Sequence, residues 1–314
     1  MSLRTPTTDL NRQSLLNLQN LQAQMAQNTL RLSSGNQITN PGDDPTGTAT
    51  ILDFQNSIQA NTQFLKQATS ANNLLQSAAD AFTGVIDGVN NLQVLAQQAL
   101  SNTTSAPAGP SSLAPQVDAI RTNLLSLANT QSQGVYVFAG TLTTKPPFTD
   151  TGAATPTVPA TPGAPITYGG NSGIISLGVS ANAQVATNIP GDTAFGNLFT
   201  AVNELYNAVN GNGPSGNSTA GVTTDVTTAS GDLTTALNNL YQQQAVVGGR
   251  QAGLNDLQTT ISGINLSLQS AQSGIQSTNI PQTYTDLTSE QTAQSAILST
   301  MAKSNTNNLF NYLT

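Results

Sequence analysis

GRQAGLNDLQTTISGINLSLQSAQSGIQ, residues 249–276, decides the fold. Within it Leu254, Leu257, Ile261, Ile264, Leu268, Ala271 and Ile275 follow one another at spacings of three and four without a break. Such positions stay on one face only in an α-helix laid against other helices. Beyond Pro281 the pattern resumes more loosely with Tyr284, Leu287, Leu298, Met301, Leu309 and Phe310. A seam of this kind calls for a partner. The rest of the chain supplies one.

Ile51, Phe54, Ile58, Leu65, Leu75, Phe82 and Ile86 lie on a second alternation of three and four that runs on to Leu100. At 1.5 Å per residue it predicts a helix of roughly 75 Å. Asp44 is placed to cap that helix and Pro45 to open it, so capping, not metal binding, is the reading of the Asp43–Asp44 pair. Before it, residues 10–32 predict a helix carrying Leu18, Leu21, Met25 and Leu32, with Asn28 at a polar seam position and Gly35 as the stop. Residues 101–110 read as a turn and Val117–Leu127 as a shorter helix.

At Gly134 the period changes. VYVF (135–138) is β-prone, the stretch 149–167 is rich in Pro, Thr, Ala and Gly, and Ile175, Leu177 and Val179 alternate. A few short antiparallel strands between 141 and 195 are expected. The glycines at 169, 170, 173 and 178 do not form G-x-G-x-x-G and open no helix, so hairpin turns are preferred to a phosphate loop. Helical pattern returns at Phe195–Val209 and, after the loop GNGPSGNSTAG, from Thr223 into the opening seam, where Gly248, Gly249 and Gly253 mark either a close approach or a bend.

The expected fold is therefore mainly α: a long antiparallel helical bundle or coiled coil built from both chain ends, with a small β-rich insert in the middle. The division that follows is 1–44 with 281–314 as an inner terminal coiled coil, 45–140 with 196–280 as a helical rod, and 141–195 as the insert. Ile51, Phe54, Ile58, Leu65, Leu75, Phe82 and Ile86 would pack within one subunit against Leu254, Leu257, Ile261, Ile264 and Leu268. Leu18, Leu21, Met25, Leu287, Leu298, Met301 and Leu309 are the candidate assembly contacts.

Composition narrows the function. Charged residues are only 7% of the 314, against roughly 25% in ordinary globular chains. Gln, Asn, Ser, Thr and Ala fill the gap, and neutral polar groups cost less to bury between copies than charges do. A net charge of −7 with eight Lys and Arg argues against nucleic acid. No apolar run reaches the ~18 residues of a membrane span. Without His or Cys there is no Ser-His-Asp or Cys-His nucleophile and no nitrogen or sulfur metal site, and no Walker loop occurs, so neither an enzyme nor a cofactor is expected. The N-terminus lacks the apolar stretch of a cleavable signal, so an exported chain would use a route that needs none.

RLSSGNQITNPGDDPTGTA (31–49) resembles the signature of the flagellin superfamily, with its Leu-Ser-Ser-Gly turn and Asp-Asp-Pro start. GVYVFAGTLTTKPPF (134–148) is similar to the stretch typical of its hook-associated protein 3 family, as are YGGNSG, IPGDTAFG and VVGGRQAGLNDL. The tract 151–165 looks like an individual insertion, and Asn36 and Gln37 stand where basic residues are usual. The resemblance implies a subunit of a homo-oligomeric ring between the other hook-associated junction protein and the flagellin filament. It also implies flagellar type III export with a chaperone on the C-terminal region. The rival readings are filament flagellin, which would polymerise alone, and a coiled-coil adaptor retained by the cell.

Overall fold

The computed structural model describes residues 5–102, 110–152, 164–180 and 183–310. Among them seven α-helices and three strand pairs follow in order: α1 (Thr5–Ser34), α2 (Pro45–Asn102), α3 (Ala114–Ala128), β1 (Gln131–Ser132), β2 (Val135–Tyr136), β3 (Phe148–Asp150), β4 (Ile166–Tyr168), β5 (Ser176–Ser180), β6 (Ala183–Ala186), α4 (Gly191–Phe195), α5 (Leu198–Val209), α6 (Thr219–Gln276) and α7 (Ile280–Phe310). The protein is mainly α, as the periodicity predicts. The turn expected at 101–110 and the Pro/Thr/Ala tract fall largely outside the described residues.

Local chemistry sets the helix boundaries. Gly35 adopts φ +71° and its N–H bonds the Arg31 carbonyl, closing α1 in the left-handed conformation that glycine enters without a Cβ penalty. Asp44 Oδ1 accepts the Gly47 N–H at 2.9 Å, capping α2 with Pro45 as its first residue. Asn279 Oδ1 accepts the Gln282 N–H at 3.3 Å, so α7 opens on a cap and Pro281 sits in the first turn, where its missing N–H costs no helix bond. Gly248, Gly249 and Gly253 neither break α6 nor admit a close neighbour, since a Cβ built on each would meet nothing within 4 Å.

The chain divides into two compact units, 62–261 and the paired ends 1–61 with 262–314. The larger unit holds the core. Phe82 of α2, Phe138, Phe148 of β3, Phe195 of α4 and Phe199 of α5 stack with ring centroids 4.8–6.0 Å apart. Offset and edge-on aromatic pairs of this kind add about 0.5–1.5 kcal/mol each beyond the area they bury. The strand pairs are antiparallel and separate: β1 with β2, β3 with β4, β5 with β6. Gln133 (φ 52°) and Gly134 (φ 81°) both take positive φ, which makes the two-residue turn between β1 and β2.

Polar side chains fasten these hairpins to the helices. Asn129, at the end of α3, donates to the Phe148 carbonyl and accepts its N–H. Arg250 of α6 donates to the Asn188 carbonyl at 2.7 Å, and the buried Asn188 side chain accepts from Ile175 and donates to Gly140 and Gly173. Arg121 of α3 is 2% exposed; it donates to Asp150 of β3, to Asn203 of α5 and to the Ala164 carbonyl. Burial raises the Asp150 carboxyl, but the Arg121 hydrogen bond, the Gly152 N–H and the Arg121 charge outweigh it and hold the group below its ordinary value.

Candidate assembly interface

Two long seams meet the description of helices laid on helices, and their residues behave differently. Along α2 and α6 of the larger unit, neutral side chains bond across the pair: Gln258 to Thr69, Asn255 with Asn72, Gln251 with Gln76, Gln244 to Thr83, and Gln93 to Thr234. Every step of three, four, seven and ten forward on α2 is matched by an equal step back on α6. That is one antiparallel register held over its length on heptad-spaced positions flanking the apolar stripe. In the smaller unit Asn61 and Asn265 make a further pair of the same kind, one residue out of step, at 2.8 Å.

Leu75, Phe82, Ile86 and Leu254 are buried inside this seam, with Leu65 and Leu257 half-buried and Ile261 buried at its end. In the smaller unit Ile51 is buried, and Phe54, Ile58 and Leu268 are half-buried. Ile264 departs from its expected place: it is 47% exposed. After Ile261 the inward stripe runs through Asn265, Leu268, Gln272 and Ile275, so Asn265 takes the position and finds a partner in Asn61.

In the smaller unit α1 packs on α7. The half-buried or buried positions that repeat are Ser14, Leu18, Leu21, Met25, Asn28 and Leu32 on α1, and Thr283, Leu287, Glu290, Gln294, Ile297 and Met301 on α7. Both sets alternate by four and three, which is a two-helix heptad seam. Asn28, only 9% exposed, donates to Glu290 Oε1 at 2.9 Å; Glu290 Oε2 is buried with no hydrogen-bond partner among the described residues. Next to it, Thr278 N bonds the Gly35 carbonyl and Gln37 N the Gln276 carbonyl, tying the two turns together. Asp43 accepts N–H groups from Asn40 and Thr39 as well as the Thr39 hydroxyl; these bonds hold its carboxyl below its ordinary value.

Five of the candidate assembly residues, Leu18, Leu21, Met25, Leu287 and Met301, thus face the α1–α7 seam of their own chain. Leu298 lies on the outside of α7, half exposed, while its neighbour Ile297 takes the seam position. The side chain of Leu309 lies outside the described residues. The smaller unit carries an outward apolar set: Leu298, named from the sequence as an assembly contact, Ile264 and Tyr284, read there as seam positions, and Leu15, Leu16, Leu30, Leu52, Leu266 and Ile280, which sequence reading missed. Part of its signal is present in the heptads themselves, since Leu16, Ala23 and Leu30 repeat by seven on α1, and Tyr284, Gln291 and Leu298 on α7.

The imbalance between the units is large. Among the described residues Ile51 is the single buried apolar side chain of the smaller unit, against nine large apolar ones exposed there. The larger unit exposes six, Val94, Leu142, Ile174, Ile175, Tyr241 and Val246, around an extensive core. No group of three or more His, Cys, Asp or Glu that could hold a metal ion occurs among the described residues, and no described helix is long and apolar enough to cross a membrane.

Residues 7–143, which span most of α1, all of α2 and α3, and β1–β2, match the bacterial flagellin N-terminal helical region. That stretch is thus similar to the N-terminal helical region of flagellin-type subunits. The flagellar hook-associated protein 3 of Escherichia coli strain K12 is 28% identical over 149 residues, 47% of either chain. The chain therefore aligns with about half the length of the curated relatives it matches. Two solved structures share the fold: FlgL of Xanthomonas campestris (TM-score 0.59, 15% identity, 70% of this chain and 99% of that one) and the flagellar junction protein FlgL of Legionella pneumophila (TM-score 0.54, 16% identity, 74% and 100%). Over its N-terminal part the chain is thus similar to flagellin and to hook-associated protein 3, and its fold is shared by these solved structures.

Proposed function

We propose that this chain is the junction subunit of a bacterial flagellum, joining the hook, through the other hook-associated protein, to the flagellin filament. The observation that carries the reading is the smaller unit: one buried apolar residue among those described, nine exposed ones, and two helices paired along a single seam. A helix pair of that kind is marginal alone. Copies arranged in a ring bury the outward faces at about 25 cal/mol per Å² of apolar surface. Exposed apolar faces on an otherwise polar chain mark sites of protein association.

The three-part division of the chain into inner terminal helices (1–44 with 281–314), a helical middle (45–140 with 196–280) and a β insert (141–195) belongs to the same proposal. So does export through the flagellar channel without a cleaved signal, with a chaperone holding the C-terminal segment until assembly. A structural subunit of this kind needs no catalytic centre.

Deleting residues 285–314 tests the reading. The expected product retains the folded 62–261 unit, is secreted or purified in soluble form, and leaves cells with hooks but no filaments in electron micrographs. Filaments of normal number and length in that strain would sink the proposal. Long filaments formed by the purified full chain alone would show a filament flagellin instead, and retention inside the cell would show an adaptor.

A further inference from the structure

The loop between α5 and α6 carries the two Asn-Gly dipeptides of the chain, Asn210-Gly211 and Asn212-Gly213, side by side. Asn-Gly is the sequence most open to intramolecular deamidation, because glycine leaves the following peptide nitrogen sterically free to attack the Asn carboxamide, and Asn is among the thermolabile residues. The structure separates the two. The Gly211 N–H donates to the Ala208 carbonyl at 3.0 Å, and Asn210 is half-buried at the end of α5. Asn212 is exposed, and among the described residues the Gly213 N–H has no hydrogen-bond acceptor. The backbone on either side of it is held, by Asn212 N to the Asn207 carbonyl and Gly216 N to the Gly213 carbonyl.

We propose that Asn212 is a site of spontaneous, structure-directed deamidation. Base removes the Gly213 amide proton; the nitrogen attacks Asn212 Cγ, the Cγ–Nδ2 bond breaks and ammonia leaves, which closes a succinimide. Water then opens the ring. Attack at Cγ gives aspartate on the original backbone, whereas attack at the main-chain carbonyl gives isoaspartate, with the chain rerouted through the side chain. Neither outcome needs an enzyme or a redox partner.

The product has a structural consequence. Gly213 lies so close to the Asp225 carboxylate that a Cβ built on it would collide with Oδ2, and Asp225, largely buried, accepts the Ser215 N–H at 3.0 Å. A new carboxylate at 212 places a second negative charge beside the group that secures the loop to α6. The isoaspartyl product also lengthens the backbone by one carbon in a loop closed by the Asn212–Asn207 and Gly216–Gly213 bonds. Modification therefore loosens the loop at the start of α6.

The test is incubation of the full chain under mildly alkaline conditions in oxygen-18 water, native and in denaturant, with peptide mapping by mass spectrometry and enzymatic detection of isoaspartate. In the native protein Asn212 should convert faster than Asn210 by about 2- to 12-fold, the factor one ordinary hydrogen bond on the attacking nitrogen confers. In denaturant the two rates should converge. Asn212→Gln should remove the faster phase of heavy-oxygen uptake in the loop while leaving the helical spectrum unchanged. Equal native rates, a faster Asn210, or the same rate ratio in the native and denatured chain would overturn the inference.

Discussion

Replacing Asn28 by Leu tests whether one polar step governs the α1–α7 seam. Asn28 lies between Met25 and Leu32 on the inward stripe of α1 and donates to Glu290 Oε1 at 2.9 Å, while the second carboxyl oxygen has no partner among the described residues. The substitution removes a hydrogen bond to an acidic group, worth about 1.5–3 kcal/mol, and leaves the carboxylate facing methyl groups. Local opening of the pair should become easier by about 10- to 150-fold. Amide hydrogen exchange of peptides within 5–34 and 280–303 reads this directly, since protection reports the opening free energy of each segment. The double variant Asn28→Leu, Glu290→Leu makes the opposite prediction. With an apolar pair in place of the polar one, no charge is held out of water, and protection should rise above the wild type. Because Glu290 is only half-buried, the gain belongs at the low end, about 1 kcal/mol or fivefold. The reasoning fails if Asn28→Leu changes protection less than threefold, or if the double variant is as labile as the single one.

Two further outcomes concern the larger unit. Arg121→Met should cost about 3 kcal/mol, the low end for breaking a buried pair because Asp150 keeps some solvent contact, and calorimetry should show its transition about 6–12 °C lower; a smaller loss than about 1 kcal/mol would mean that the guanidinium is dispensable. On acidification, the depressed Asp150 carboxyl stabilises the fold above the ordinary aspartate range, and that contribution disappears as pH falls through its folded value. Glu204 runs the other way, because burial first, then the hydrogen bond and charge of Asp232, raise it, so its cost is present above the raised value and relieved on descent. Urea midpoints followed from about pH 7 to about pH 3 should therefore fall less steeply in Asp150→Asn, and a slope unchanged by that substitution would count against the assignment.

The opening heptads carry the architecture because helix periodicity, capping residues and breakers are local signals. Asp44, Pro45, Gly35 and Pro281 each mark a boundary the structure keeps. Tertiary choices are less legible. At Ile264/Asn265 and at Ile297/Leu298 the pattern offers two adjacent side chains for one seam position. Apolar character alone favours the wrong one in the first case and does not discriminate in the second. What selects Asn265 is Asn61 on another helix, 204 residues away. Arg121 is likewise silent in sequence, since its three acceptors come from β3, α5 and the segment before β4.

These same pairings explain how a chain with so few charges keeps a defined register. Apolar stripes at heptad spacing tolerate a slip of seven residues, because each large side chain then meets another of similar kind. Hydrogen bonds do not. The amide and hydroxyl partners at 69/258, 72/255, 76/251, 83/244 and 93/234 must all change together if α6 moves, and a slip that brings Thr83 or Gln93 opposite an apolar side chain leaves polar groups unpaired. Being neutral, these bonds are also little affected by the salt that screens surface ion pairs. The α1–α7 pair has Asn28 and Glu290 for the same purpose, in a unit with one buried apolar residue among those described. Its register is correspondingly less fixed than that of α2 and α6, which is the property that the proposed assembly of the chain ends would require and a self-contained core would not have.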